Sequence, residues 1–286
     1  MSIVNNLNGV YTLNSSEPIL IYGTAWKELK TEELTELALS SGFRAIDTAN
    51  QRKHYYEEGV GSAIQSYLKK SGLNRADLFL QTKFTYEGGQ DHRLPYDPRT
   101  SISNQVIQSF SSSLSHLQTE YIDSYLLHGP MYSRGIHQED MEAWAAMEEL
   151  YRMKKALAIG ISNVTQDQLI QLYENSYVKP AYVQNRCYAK HGWDFEVRSY
   201  CKKMNIKYQG FSLLTANVQA ISSDPLAHIA IKYKKTLPQI IFRFCYQSGI
   251  ICLTGTTNPV HMKEDLDIFS FELNQEEIHD IETAEL

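Results

Sequence analysis

Gly42-Phe43-Arg44-Ala45-Ile46-Asp47-Thr48-Ala49 reads as an apolar strand core that ends on an aspartate, just where the chain must turn outward. A carboxylate at the end of a buried strand is costly unless a cation or hydrogen-bond donors meet it. On its own Asp47 could simply cap the next turn. Two later apolar runs end in the same manner, 78–83 (LFLQTK) on Lys83 and 124–128 (SYLLH) on His128. In a parallel α/β fold the carboxyl ends of strands are where ligands and chemistry gather.

Outward from that stretch, short apolar runs at 19–22, 43–47, 78–83, 124–128, 157–162, 182–185, 207–212 and 250–254 alternate with segments of helical period. Val106, Phe110, Leu114 and Leu117 line one such face; Met141, Trp144, Met147 and Leu150 line another. Thr165 with Gln168 makes a capping box, and Thr236 precedes Pro238 in a first turn, followed by the stripe Leu237, Ile240, Ile241 and Phe244. Eight strands alternating with eight helices, with no Gly/Ser linker and no composition break, predict one α/β domain over residues 1–286, a (β/α)8 TIM barrel. An open doubly wound sheet is the competing architecture, but it calls for a glycine-rich turn after an early strand, and no G-x-G-x-x-G occurs. Two segments exceed a minimal barrel. Asn8-Gly9, inside residues 7–13, predicts an N-terminal β-hairpin. Residues 84–99 form a long polar excursion after the third strand, at the end of a barrel whose loops meet substrate.

The 286 residues carry a net charge of −6 spread along the chain, with no basic run that would suit nucleic acid. No stretch reaches the roughly 18–20 apolar residues that span a bilayer, and the N-terminus lacks a basic segment followed by an apolar one. Cys187, Cys201, Cys245 and Cys252 have neither metal-ligand nor CxxC spacing and read as reduced, buried thiols, hence a cytoplasmic location. The chain is expected to be a monomer.

If each closes its own barrel strand, Asp47, Lys83 and His128 converge at one end. A tyrosine stands nearby in KHYYEEGVG, residues 53–61. A free tyrosine has a pKa of about 10, too high to trade protons readily at neutral pH. An ammonium beside it favours the phenolate, a carboxylate holds that ammonium, and an imidazole can orient a carbonyl oxygen for protonation. A carbonyl protonated on oxygen must receive hydride on carbon, which implies a hydride-donating cofactor.

At these residues the chain resembles the aldo-keto reductase superfamily, over nearly its whole length. GFRAIDTA, QTK, LLHGP (with Gly129 where the family has tryptophan), AIGISN, VQNR and TLPQIIFRF match family motifs in order. The resemblance implies a catalytic tetrad of Asp47, a tyrosine, Lys83 and His128. Two extra residues separate Asp47 from Glu57, so counting back from Glu57 lands on His54, whereas residue type selects Tyr55; Tyr56 is the third candidate.

It also implies a nicotinamide cofactor approached by Gly23 and Thr24, with its carboxamide bonded by Ser162, Asn163 and Gln184 and its ring stacked on Phe211. Ser212, Leu213 and Leu214 would offer backbone donors to the pyrophosphate. Gly255, Thr256, Thr257 and His261 would meet the 2′-phosphate, with Gly255 and His261 in places where relatives grip it by lysine and arginine; Glu264 and Asp265 match adenine-side positions. NADPH is expected in preference to NADH. The substrate is expected to be a small aldehyde or ketone facing Trp26 and His128, with Tyr86, Tyr96 and Trp193 as further candidates for the entrance; for each of these aromatics a structural packing role is the alternative. The chain stops at Leu286, where many relatives continue into a pocket-shaping tail, so an open site is expected. Two other readings stand beside this one: a nicotinamide-binding regulatory subunit with residual reductase activity, and a cofactor-free lyase using Lys83 as a Schiff base.

Overall fold

The computed structural model describes residues 4–5, 11–13, 17–222 and 224–283. Eight strands close into a barrel: β1 (Leu20–Gly23), β2 (Ala45–Asp47), β3 (Phe79–Phe84), β4 (Ser124–Leu127), β5 (Ile159–Ser162), β6 (Tyr182–Arg186), β7 (Lys207–Phe211) and β8 (Ile250–Thr254). Each pairs in parallel with its neighbours in sequence, and β8 returns to β1 through Cys252↔Leu20 and Thr254↔Tyr22. The closed barrel agrees with the sequence expectation and excludes the open sheet. Short antiparallel pairings join Val4–Asn5, Tyr11–Leu13 and Glu17–Pro18. The Asn8-Gly9 turn lies outside the described residues, so the hairpin stays an expectation.

Strand alternation decides which residues reach the interior. Ile21, Ala45, Leu126, Tyr182, Ile251 and Leu253 form a small cluster of their own, the apolar filling of the barrel. The opposite faces (Leu20, Ile46, Leu80, Tyr125, Val183, Cys252) join the larger core beneath the helices. Asp47, Lys83, Ser162, Gln184 and Phe211 share the inward parity of the small cluster. Gly160 permits the close approach this needs: a Cβ there would lie 2.3 Å from the Tyr182 carbonyl oxygen.

The helices include α1 (Thr31–Ser41), α2 (Glu57–Ser71), α3 (Ile102–His116), α4 (Gln138–Arg152), α5 (Gln166–Asn175), α6 (Phe195–Met204), α7 (Leu237–Gln247) and α8 (Pro259–Leu266). Thr165 caps α5 through the expected box with Gln168, and Thr236, just ahead of the expected Pro238, caps α7 through a second box with Gln239. Val106, Phe110, Trp144 and Met147 are buried, as their helical spacing requires. Beyond the barrel set, Asp224–Tyr233 precedes α7 and Gln275–Thr283 follows α8, their Lys232 and Glu277 joined at 2.6 Å. The polar excursion after β3 is tied down rather than loose. Tyr96 donates its hydroxyl to the Thr85 carbonyl at 2.8 Å, and the Gln90 amide donates to the Asn50 carbonyl at 2.8 Å.

Candidate active site

β2 and β3 lie side by side with Asp47 opposite Gln81, which puts the Asp47 carboxylate and the Lys83 ammonium on one interior level. The Lys83 Nζ donates to Asp47 Oδ1 at 2.6 Å, to Oδ2 at 2.7 Å and to the Thr48 carbonyl at 2.8 Å. Lys83 has 0% of its surface exposed and Asp47 3%, so neither charge would persist here without the other. Burial pushes the Lys83 pKa down, and the charge and hydrogen bonds of Asp47 oppose it. Beneath the pair sit three interior amides. Gln81 and Gln184 each donate to Asp47 Oδ1, at 2.7 and 3.0 Å, and both also donate to Gln209 Oε1. Asp47 Oδ1 therefore accepts from three donors.

The loop after β2 separates the three candidates for the tyrosine position. Gln51 accepts at its carbonyl from the backbone N–H groups of both His54 and Tyr55, each at 3.0 Å. This tight turn sends the two side chains different ways. The Tyr55 ring lies 5.3 Å from Lys83 Nζ and 5.9 Å, edge to face, from the His128 ring. His54 stacks instead on the Trp26 indole with ring centroids 3.8 Å apart. Tyr56 heads α2 and lies under the Arg52 guanidinium at 4.3 Å. Only Tyr55 of the three joins Lys83 and His128.

The Tyr55 hydroxyl does not have the lowered pKa that an isolated ammonium would impose. Burial raises it and the Asp47 charge adds to the rise, because Asp47 already neutralises Lys83. Tyr55 is thus a protonated phenol at rest. His128 Nδ1 lies 2.6 Å from the Thr85 hydroxyl oxygen. Burial first, then Lys83 and His54, hold His128 well below the usual imidazole range, so it is neutral at neutral pH. A Thr85 hydroxyl that donates to Nδ1 leaves the ring proton on Nε2, which is then free to donate.

Around this centre the other expected residues fall on the same barrel end. Thr24 spends both its N–H (3.0 Å) and its hydroxyl (2.9 Å) on the Asp47 carbonyl, so it braces β1 against β2 and has no N–H free for a ligand. Ser162 donates its hydroxyl to the Gln184 carbonyl at 2.6 Å, and the Asn163 amide donates to the His128 carbonyl at 2.8 Å. Phe211 closes β7 with the Arg186 guanidinium 5.7 Å from its ring centre. Ser212, at φ +57, starts the turn carrying Leu213 and Leu214, whose carbonyls accept from Asn217. After β8, Gly255, Thr256 and Thr257 lead to Asn258, which caps α8 by accepting from the Val260 N–H at 2.8 Å. Asp265 is buried against the Thr254 hydroxyl at 2.7 Å, and burial raises its pKa to about 6; His261 and Glu264 lie less covered on the same helix.

Three of the entrance candidates are corrected. Tyr86, Tyr96 and Trp193 are buried in the main core, their polar atoms taken by Asp140, the Thr85 carbonyl and the Ile281 carbonyl. Trp26 alone of that group stands at the rim, 71% exposed.

Lys27 escaped the sequence reading. It is buried, donates to the Gly255 carbonyl at 2.8 Å and lies 5.1 Å from the Tyr22 ring centre. No carboxylate pairs with it among the described residues, and burial lowers its pKa to about 8. The available signal was positional: a lysine in the loop after the first strand, GTAWK, at the same barrel end as GTTN after the last.

A cavity of about 340 Å³ also borders Tyr55, lined by Arg52, Glu57, Arg93, Ser112 and His116. Its one deeply buried carboxylate, Glu57, is already met by Thr82, Ser113 and His116. This wall fastens α2 to α3.

Comparison with known proteins adds an independent line. The profile described as "Aldo/keto reductase family" matches residues 9–285. A glyoxal reductase of Bacillus subtilis is 32% identical over 250 residues, covering 87% of this chain and 82% of that protein. A crystal structure of an aldo/keto reductase from Brucella melitensis superposes with a TM-score of 0.79 at 31% identity, covering 94% of this chain and 95% of that one. The Bombyx mori aldo-keto reductase AKR2E4, solved in complex with NADP, shares the fold at a TM-score of 0.79 and 24% identity, covering 92% and 88% of the two chains.

Proposed function

The chain belongs to the aldo/keto reductase family, and from that premise we propose that it reduces small aldehydes or ketones with NADPH, Tyr55 supplying the proton. The observation that carries the assignment of Tyr55 is its ring standing close to both the Lys83 ammonium, at 5.3 Å, and the His128 imidazole, at 5.9 Å.

The residues present fit a dinucleotide phosphate. Lys27 is a buried cation that has no carboxylate partner among the described residues and is set against the Gly255 carbonyl. Gly23 and Gly255 bring the ends of β1 and β8 together beside this lysine: a Cβ on Gly255 would stand in ordinary contact, 3.5 Å from the Gly23 carbonyl and 3.6 Å from Lys27 Nζ. Lys27, Thr256, Thr257 and His261 would hold the phosphates, and Ser162, Asn163 and Phe211 the nicotinamide side. When bound, NADPH supplies hydride to the carbonyl carbon.

The chain's own part is the proton. His128 donates from Nε2 to the carbonyl oxygen and fixes it beside Tyr55. The phenol keeps its proton until negative charge develops on that oxygen, then gives it up. Lys83 already uses three N–H groups on Asp47 and Thr48, so meeting the phenolate requires it to turn one of them away from Asp47. Asp47 Oδ1 retains Gln81 and Gln184 when that happens. The glutamine floor therefore stabilises both arrangements of the lysine. A monomer is the proposed working unit. The four free, buried cysteines support a reducing, cytoplasmic setting.

Tyr55→Phe should lower kcat by about 10²–10⁴-fold, the usual worth of a positioned general acid, while NADPH still quenches tryptophan fluorescence at unchanged Kd. Full turnover by the variant would place the acid elsewhere.

A further inference from the structure

His54 remains unexplained by the proton chemistry, although its setting is defined in detail. The Gln51 side-chain amide donates from Nε2 to the Gly89 carbonyl at 2.7 Å, which orients the amide. Its Oε1 therefore faces His54 Nδ1, at 2.9 Å. An amide oxygen only accepts, so Nδ1 must carry the proton and Nε2 of the neutral ring is a bare acceptor. The ring lies against the exposed Trp26, the two planes tilted by 37° with centroids 3.8 Å apart, and the Trp26 backbone N–H donates to the His54 carbonyl at 2.7 Å. No hydrogen bond to Nε2 occurs among the described residues. Burial first, then the Lys53 charge, lower the His54 pKa below the ordinary imidazole value, and Asp91 opposes them.

We propose that His54 is a specificity residue of this site, its unprotonated Nε2 accepting a hydrogen bond from a substrate hydroxyl beside the reacting carbonyl. The favoured substrates are then neutral α-hydroxy carbonyls and the hydrated forms of dicarbonyls. A carboxylate at that place would meet a lone pair and no proton, so 2-oxo acids are disfavoured. His128 and His54 divide the task, one donating to the carbonyl oxygen and the other accepting from its neighbour. A single loop sets both, since Thr85 holds His128 and Gly89 holds Gln51.

The selection rests on the reductase reading, so the experiment separates the two. Hydroxyacetone and butanone differ only in a hydroxyl for a methyl. The protein should prefer hydroxyacetone in kcat/KM by about five- to tenfold, the worth of one ordinary hydrogen bond. His54→Phe, which keeps an aromatic face for Trp26 and removes the acceptor, should bring the ratio to near one. His54→Gln, which restores an acceptor, should recover part of the preference. A ratio unchanged in His54→Phe overturns the role of His54 and leaves the reductase reading standing. Absence of NADPH oxidation with any carbonyl ends both. Nitrogen-15 NMR of histidine-labelled protein gives a readout independent of turnover: neutral His54 should show its proton on Nδ1, and a proton on Nε2 overturns the proposal.

Discussion

The floor and the rim of the site are built on different physical terms. On the floor, Asp47, Lys83, Gln81, Gln184 and Gln209 are sealed inside the barrel, and each makes hydrogen bonds to others of the group. At the rim, Trp26 and His54 hold each other by one stacked contact and one backbone hydrogen bond, with Trp26 largely in water. In the interior, removing one partner strands a charge; at the rim, water can replace what is lost. The floor should therefore govern folding and the chemical step, and the rim should govern which substrates react.

Lys83→Met tests the comparison hardest. Leaving Asp47 buried without its cation should cost about 3–5 kcal/mol of stability, read by urea unfolding, together with loss of NADPH oxidation. A variant as stable as the parent would mean that the amide floor alone satisfies Asp47.

Lys27 stands between the two regions, buried yet facing the loop after β8. Removing a charge-assisted bond worth about 1.5–3 kcal/mol, Lys27→Met should raise the NADPH Kd by about 10- to 150-fold. Its pH dependence has a definite sign. The folded pKa of about 8 lies below the ordinary 10.5, so the unfolded chain binds more protons between those values. Cofactor-free protein should thus gain stability as pH rises through that window, while NADPH affinity falls once pH passes 8. Both trends should flatten in Lys27→Met. A pH-independent Kd in the parent would remove Lys27 from the phosphate site.

The smallest effect is expected where floor and rim are joined. A Cβ at Gly89 would lie 2.7 Å from the Thr85 methyl. Gly89→Ala should turn the Thr85 hydroxyl off His128 and lower kcat several-fold, with little change in unfolding midpoint. An unchanged kcat would show that His128 does not need Thr85.

The legibility of the site follows the same division. Asp47, Lys83 and His128 could be read because each ends an apolar run, and alternation along a strand leaves little choice of direction. Tyr55 could not be settled by counting, since two extra residues lengthen the loop before Glu57. Its direction depends on how Gln51 gathers the N–H groups of both His54 and Tyr55. Tyr86, Tyr96 and Trp193 looked suited to an entrance because amphipathic aromatics serve walls and cores alike. Their hydroxyls and indole found partners in the interior instead. Lys27 went unread because its partner carbonyl lies 228 residues away.

From the amino-acid sequence alone came the alternation of strands and helices, the barrel it implies, and the three strand-end residues at its centre. Those are local properties: period, capping and the residue on which an apolar run stops. The tertiary structure decided which aromatic joins them and, among the described residues, which buried lysine has no carboxylate partner and which ring nitrogen of His54 has no hydrogen bond. Each of these depends on contacts between loops from different strands, and such contacts exist only once the barrel has closed.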